Sequence, residues 1–143
     1  MKLRDIMTKQ VIRIAPEETV AVAARTLAHY NIGSLPVCGS DGRLQGVVTD
    51  RDIVTRCLAA NRSADNTTVR EVMTTQVVTA GADLDVSLAA GLMGRRQIRR
   101  LPILENERLC GMVSLADMAT AEPCSIDAGD ALTEISGGLS CRD

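Results

Sequence analysis

Phenylalanine and tryptophan are absent from this chain, and Tyr30 and His29 are the only aromatic rings among its 143 residues. The core must therefore be built from Ala, Val, Leu, Ile and Met, and the stacked aromatic platforms of single-strand nucleic-acid binders are excluded. Strong charge of either sign is missing too. A net charge of −2 at pH 7 offers no general attraction to nucleic acid or to an anionic membrane. No apolar run reaches the roughly 18 residues of a membrane span. The opening Met-Lys-Leu-Arg-Asp leads into no signal-peptide core, so a cytoplasmic protein is expected, with no membrane and no nucleic-acid partner. Cysteine is present but unpaired in pattern. Cys38, Cys57, Cys110, Cys124 and Cys141 are odd in number and lack Cys-x-x-Cys spacing, which argues against a disulfide framework or a zinc site. A lone histidine and the lack of a nucleophile-base pattern argue against an enzyme.

What the chain has is a repeat. A shift of 66 positions lays Leu3-Arg4-Asp5-Ile6-Met7-Thr8 on Val69-Arg70-Glu71-Val72-Met73-Thr74, Val20 on Val86, Ala23-Ala24 on Ala89-Ala90, and Leu35-Pro36 on Leu101-Pro102. One deletion near Gly42 makes the offset 65, and then Gly46 falls on Gly111 and Asp52 on Asp117. Copy one takes residues 1–60 and copy two 69–121. The polar stretch 61–68 is the linker, and 122–143 is a tail matching neither copy.

Each copy has the pattern strand, helix, strand, strand, helix, an α/β (α+β) arrangement. Val11-Ile12-Arg13-Ile14 is β-prone, and Pro16-Glu17-Glu18 offers a first-turn proline and acids for a helix start. Val20, Ala23, Ala24 and Leu27 recur at helical spacing, as do Val86, Ala89, Ala90 and Met93. Leu35–Cys38 and Leu44–Thr49 flank an Asp-Gly signal, the mark of a hairpin, and a second helix follows from Asp50 to Leu58. A unit this small buries little apolar surface alone, so the two are expected to pack on each other with pseudo-two-fold symmetry. The Ala-rich helix faces suit a further contact, a homodimer. In the tail, Ala131–Ile135 has the pattern of a short amphipathic helix stopped by Gly137-Gly138.

The sharpest repeated signal is Gly46-Val47-Val48-Thr49-Asp50-Arg51-Asp52 and Gly111-Met112-Val113-Ser114-Leu115-Ala116-Asp117. Thr49 with Asp52, and Ser114 with Asp117, stand at the spacing of a helix capping box. The same residues suit a nucleotide. The glycine permits close approach to the backbone, the free N–H groups of a helix start suit a phosphate, and a carboxylate can accept hydrogen bonds from both ribose hydroxyls.

The order of elements, the Met-Thr heads, the Leu-Pro strands and the two Gly-x-x-Thr/Ser-x-x-Asp motifs resemble a tandem pair of CBS domains, a Bateman module, over about residues 1–120. Thr49-Asp50-Arg51-Asp52 and Ile98-Arg99-Arg100-Leu101-Pro102 are similar to those of small stand-alone bacterial CBS-pair proteins. The resemblance implies regulatory binding of an adenosine-containing ligand in clefts between two units, without catalysis, and signalling to a separate protein partner. It also implies that Arg99 and Arg100 reach ligand phosphates, a task that guanidinium forks suit. Ser34 holds the matching place in copy one and is expected to line the opposite wall. The stronger site is therefore expected at Ser114, Asp117, Arg99 and Arg100, and a weaker one at Thr49 and Asp52. AMP, ADP, ATP, S-adenosylmethionine and a dinucleotide all remain open as ligands. The competing expectation is a ligand-free stress-response interaction scaffold in which these motifs only cap helices.

Overall fold

A computed structural model of the chain describes residues 1–120. They form two compact units, one running from Ile12 to Val77 and the other joining Met1–Val11 to the chain from Val78 on. We call these the central and the bipartite unit. The cut differs from that of the sequence repeats, because the head of each copy, with its Met-Thr, belongs to the unit built on the body of the other copy.

In the central unit, α1 (Val20–Tyr30) begins at Thr19, whose hydroxyl accepts from the Val22 amide at 3.2 Å, and it ends on Asn31 in the left-handed region at φ 54°. Strands β1 (Ser34–Cys38) and β2 (Leu44–Thr49) form an antiparallel hairpin with Ser34 opposite Thr49. Next come α2 (Asp50–Ile53), which runs on as a π-helical segment through Leu58, and the short α3 (Val69–Val72). The expected strand around Ile14 contracts to one parallel bridge, Ile14 to Val37. The expected helix start at Pro16 is not used. The carbonyls of Pro16 and Glu18 instead accept from the amides of Arg70 and Val69, at 3.0 and 2.8 Å, so this turn serves the head of copy two. The core gathers Val20, Ala23, Leu27, Leu35, Val37, Val48, Val69 and Val72, all aliphatic.

The bipartite unit repeats the plan. β3 (Ala80–Gly81) runs parallel to β4 (Arg100–Glu105), which pairs antiparallel with β5 (Arg108–Ser114); α4 (Val86–Arg96) and α5 (Leu115–Thr120) complete it. The deletion near Gly42 is taken up in the hairpin turn. Asn106 and Glu107 both adopt positive φ, 53° and 66°, the two-residue turn whose twist matches paired strands. The core joins Leu3 from the head to Val86, Ala89, Ala90, Met93, Leu101, Ile103, Val113 and Met118. The helix faces differ in one respect: Ala90 is fully buried, whereas its counterpart Ala24 is exposed. The tail helix expected at 131–135 lies outside the described residues.

Candidate functional site

The repeated glycines are explained first by packing. Thr8 and Met112 exchange amide-to-carbonyl bonds of 2.9 and 3.0 Å in the bipartite unit, and Val47 and Thr74 exchange bonds of 2.9 and 2.8 Å in the central one. These bridges seat each Met-Thr head on the glycine of the second hairpin strand. A Cβ on Gly46 would stand 2.5 Å from the Thr74 carbonyl oxygen and 3.1 Å from Met73 Sδ, and a Cβ on Gly111 would overlap the Met7 side chain. The close approach that glycine permits is therefore taken by the chain's own head segment.

The two hydroxyl-acid motifs are both complete capping boxes. In the central unit the Asp52 amide donates to Thr49 Oγ1 and the Thr49 amide to Asp52 Oδ2, each at 3.0 Å. In the bipartite unit the Asp117 amide donates to Ser114 Oγ at 3.1 Å and the Ser114 amide to Asp117 Oδ2 at 2.9 Å. Their surroundings differ. Asp52 is only 7% exposed. Thr74 Oγ1 lies 3.3 Å from both of its carboxylate oxygens, and Arg56 Nε lies 3.9 Å from Oδ1. Asp117 is half-buried, and among the described residues its Oδ1 accepts no hydrogen bond.

Arg99 and Arg100 are brought to the second motif. Arg100 sits opposite Ser114 across the β4–β5 pair, and the Arg99 carbonyl accepts from the Leu115 amide at 3.0 Å. Both arginines are exposed, so their guanidinium groups are open to a ligand. In the central unit the matching ground is held by Gly33, whose carbonyl accepts from the Asp50 amide at 3.0 Å, and by Ser34, opposite Thr49. Ser34 thus shares a unit with Thr49 and Asp52. The formal charge beside the motif differs: two guanidinium groups in one unit, against Asp50 and Arg51, which offset each other, in the other. Sequence reasoning passed over Thr74 and Arg56. The matched Met-Thr heads were a signal for Thr74; Arg56 gave one only through its i, i+4 spacing from Asp52.

A model of the CBS domain matches residues 3–59 and 69–123. The chain belongs to the CBS-domain family. It is 40% identical to the CBS domain-containing protein YhcV of Bacillus subtilis over 134 residues, 94% of each chain. It is 37% identical to hypoxic response protein 1 of Mycobacterium tuberculosis over 120 residues, 84% of each. A crystal structure of Hypoxic Response Protein I with two coordinated zinc ions superposes with a TM-score of 0.78 at 36% identity, covering 86% of this CBS chain and all of that one. The CBS domain pair of protein MJ0100, in complex with 5'-methylthioadenosine and S-adenosyl-L-methionine, gives a TM-score of 0.70 at 31% identity, over 83% of this chain and 93% of that one.

Of the cysteines, Cys38 and Cys57 are buried and Cys110 partly so. Burial pushes the Cys38 and Cys110 thiols above their ordinary pKa, which lowers the thiolate fraction and with it their reactivity. Cys124 and Cys141 lie outside the described residues.

Proposed function

We propose that the chain is a regulatory sensor that binds an adenosine-containing ligand at the Ser114–Asp117 motif and signals to a separate protein, without catalysis of its own. The observation that carries this reading is the Asp117 Oδ1, which accepts no hydrogen bond among the described residues, beside two exposed arginines. The cap consumes one carboxylate oxygen, leaving the other for ribose hydroxyls, while Arg99 and Arg100 supply donors for phosphate. The adenosine ligands of the MJ0100 pair support the ligand class. AMP, ADP, ATP and S-adenosylmethionine are the candidates. Thr49, Asp52 and Ser34 form the corresponding set in the central unit. Among the described residues, no three His, Cys, Asp or Glu side chains converge on a metal-sized site. We place the protein in the cytoplasm as a homodimer. An open, mostly apolar hollow of about 340 Å³ on the central unit, lined by Leu27, Ala28, Ile32, Ile53 and Val54 and rimmed by Asn31 and Asp50, supports the second copy.

The test is a thermal-shift and calorimetric titration with AMP, ADP, ATP, S-adenosylmethionine and 5'-methylthioadenosine. A ligand at 100 times its Kd adds about 2.7 kcal/mol, which raises Tm by several degrees in a chain of this size. Asp117→Ala is expected to abolish the rise. Replacing both Arg99 and Arg100 by Ala is expected to weaken ATP by about tenfold or more while leaving 5'-methylthioadenosine, which has no phosphate, within about twofold. A cooperatively melting protein that responds to none of the panel is the result expected of the ligand-free scaffold, in which both motifs serve only as caps.

A further inference from the structure

The chain carries two hydroxyl-acid motifs with the same capping geometry, yet among the described residues only one leaves a carboxylate oxygen without a hydrogen-bond donor. In the central unit both oxygens of the Asp52 carboxylate are contacted from within. Oδ2 takes the Thr49 amide, and the Thr74 hydroxyl lies 3.3 Å from both oxygens. Arg56, one turn further along the helix, places Nε 3.9 Å from Oδ1, while its Nη1 donates to the carbonyls of Val72 and Met73 at 3.3 and 3.0 Å. A hydroxyl donor and a cation thus occupy the positions that ribose hydroxyls would need. The Arg56 side chain is half exposed, so the clasp closes the carboxylate at a surface a ligand can reach. The bipartite unit lacks both parts. Thr8 stands where Thr74 does, but among the described residues it makes no hydrogen bond to Asp117, and the residue at the Arg56 position is Ala121.

We infer that Thr74 and Arg56 act as a built-in surrogate ligand for Asp52, so that the chain binds one adenosine ligand, at Asp117, and the central motif is a masked second site. This rests on the proposed ligand reading and names its stoichiometry and the residues that set it. Because a hydroxyl and a guanidinium already satisfy Asp52, an incoming ribose gains only the difference between its bonds and those it displaces.

The probe is 5'-methylthioadenosine, chosen because its lack of phosphate keeps the charge of Arg56 out of the comparison. Calorimetry on the whole protein is expected to give one site per chain for the wild type. The double variant Arg56→Ala/Thr74→Val is expected to give two, the new site within about tenfold of the first. A second site in the wild type, equivalent or weaker, or still one in a folded double variant, would overturn the masking. Failure of the wild type to bind any adenosine compound would instead remove the ligand reading, and amide hydrogen exchange without ligand then judges the clasp alone. Asp52→Asn is expected to speed exchange at the Val47 and Thr74 amides by about tenfold, while Asp117→Asn leaves the matching Thr8 and Met112 amides within about twofold. Equal responses in the two units would mean that Asp52 is only a cap and that no clasp exists.

Discussion

The central and bipartite units are built from one sequence pattern, and they differ most where the pattern meets its surroundings. Each has a helix-capping acid, a hairpin whose second strand carries a glycine, and a Met-Thr segment bridged to that strand. Yet a hydroxyl and a cation flank Asp52, while among the described residues one oxygen of Asp117 accepts no hydrogen bond. The repeat thus preserves what packing demands, and on the proposed reading single side chains at the rim separate a structural role from a binding one. The largest test of the packing half is Gly46→Ala against Gly111→Ala. The new methyl at Gly46 would meet the Thr74 backbone carbonyl, which is held by its own bridge, whereas at Gly111 it would meet the flexible side chain of Met7. Overpacking of this kind costs about 3 kcal/mol where backbone must move and about 1 kcal/mol where a side chain can yield. Urea denaturation of the two variants should show that order. Adding Met7→Ala should recover part of the loss in Gly111→Ala, a non-additivity that marks direct contact.

The acids themselves give the next largest contrast. Asp52→Ala removes a cap and leaves the Thr74 hydroxyl and the Thr49 amide without their acceptor in a nearly buried place, a cost of about 2 kcal/mol. Asp117→Ala likewise strips the Ser114 amide of its acceptor but, among the described residues, orphans no side-chain hydroxyl, at about 1 kcal/mol. Equal losses in chemical denaturation would erase the difference between the two environments.

Much of this was legible in the residues. The repeat, the hairpins and both capping boxes follow from spacing, because they depend on local periodicity and on hydroxyl-x-x-acid separation. The placement of Arg99 and Arg100 beside Ser114 follows from their position at the start of a strand that pairs with the motif strand. The exchange of heads between units was not legible. It depends on bridges such as Thr8 to Met112, across about a hundred residues of chain, which leave no periodic trace. For the same reason the role of Gly46 and Gly111 was misread as room for a ligand, when Thr74 and Met7 fill it. Pro16 misled in a related way: its turn has the residues of a helix start, but its carbonyl is held by the Arg70 amide from the other copy's head.

The helix faces extend the comparison to assembly. Ala24 and Val54 are exposed on the central unit, with Val54 at 54% and Leu58, one turn on, at 60%, whereas Ala90 is buried in the bipartite unit. If a second copy covers the central face, Val54→Glu places a charge in that contact and should shift the protein toward monomer in sedimentation equilibrium, because an unpaired buried charge is strongly unfavourable. A dimer that survives the change would move the interface elsewhere.

The heads themselves offer the smallest and most local contrast. In copy two, α3 is preceded by Thr68, whose amide donates to Glu71 Oε2 at 2.8 Å; the Thr68 hydroxyl and Arg62 also bond the carboxylate. In copy one the matching residues are Lys2 and Asp5, and the segment Leu3–Asp5 is a single 3₁₀ turn in which the Lys2 amide donates to Asp5. The Thr68 amide, followed by its hydroxyl and Arg62, holds the Glu71 carboxyl below its ordinary pKa. A carboxyl depressed in the folded state contributes stability above its unfolded pKa and loses it as pH falls through the folded value. Glu71→Gln is therefore expected to be less stable than the wild type at neutral pH and to converge with it in acid, below the lowered pKa. The side chain is exposed, so the difference is small and shrinks in high salt. Denaturation curves of the two proteins across this range, at low and high salt, read it directly. A gap that persists unchanged into acid would assign the role of Glu71 to helix propensity, leaving the Thr68 and Arg62 contacts without a share in the stability of the head.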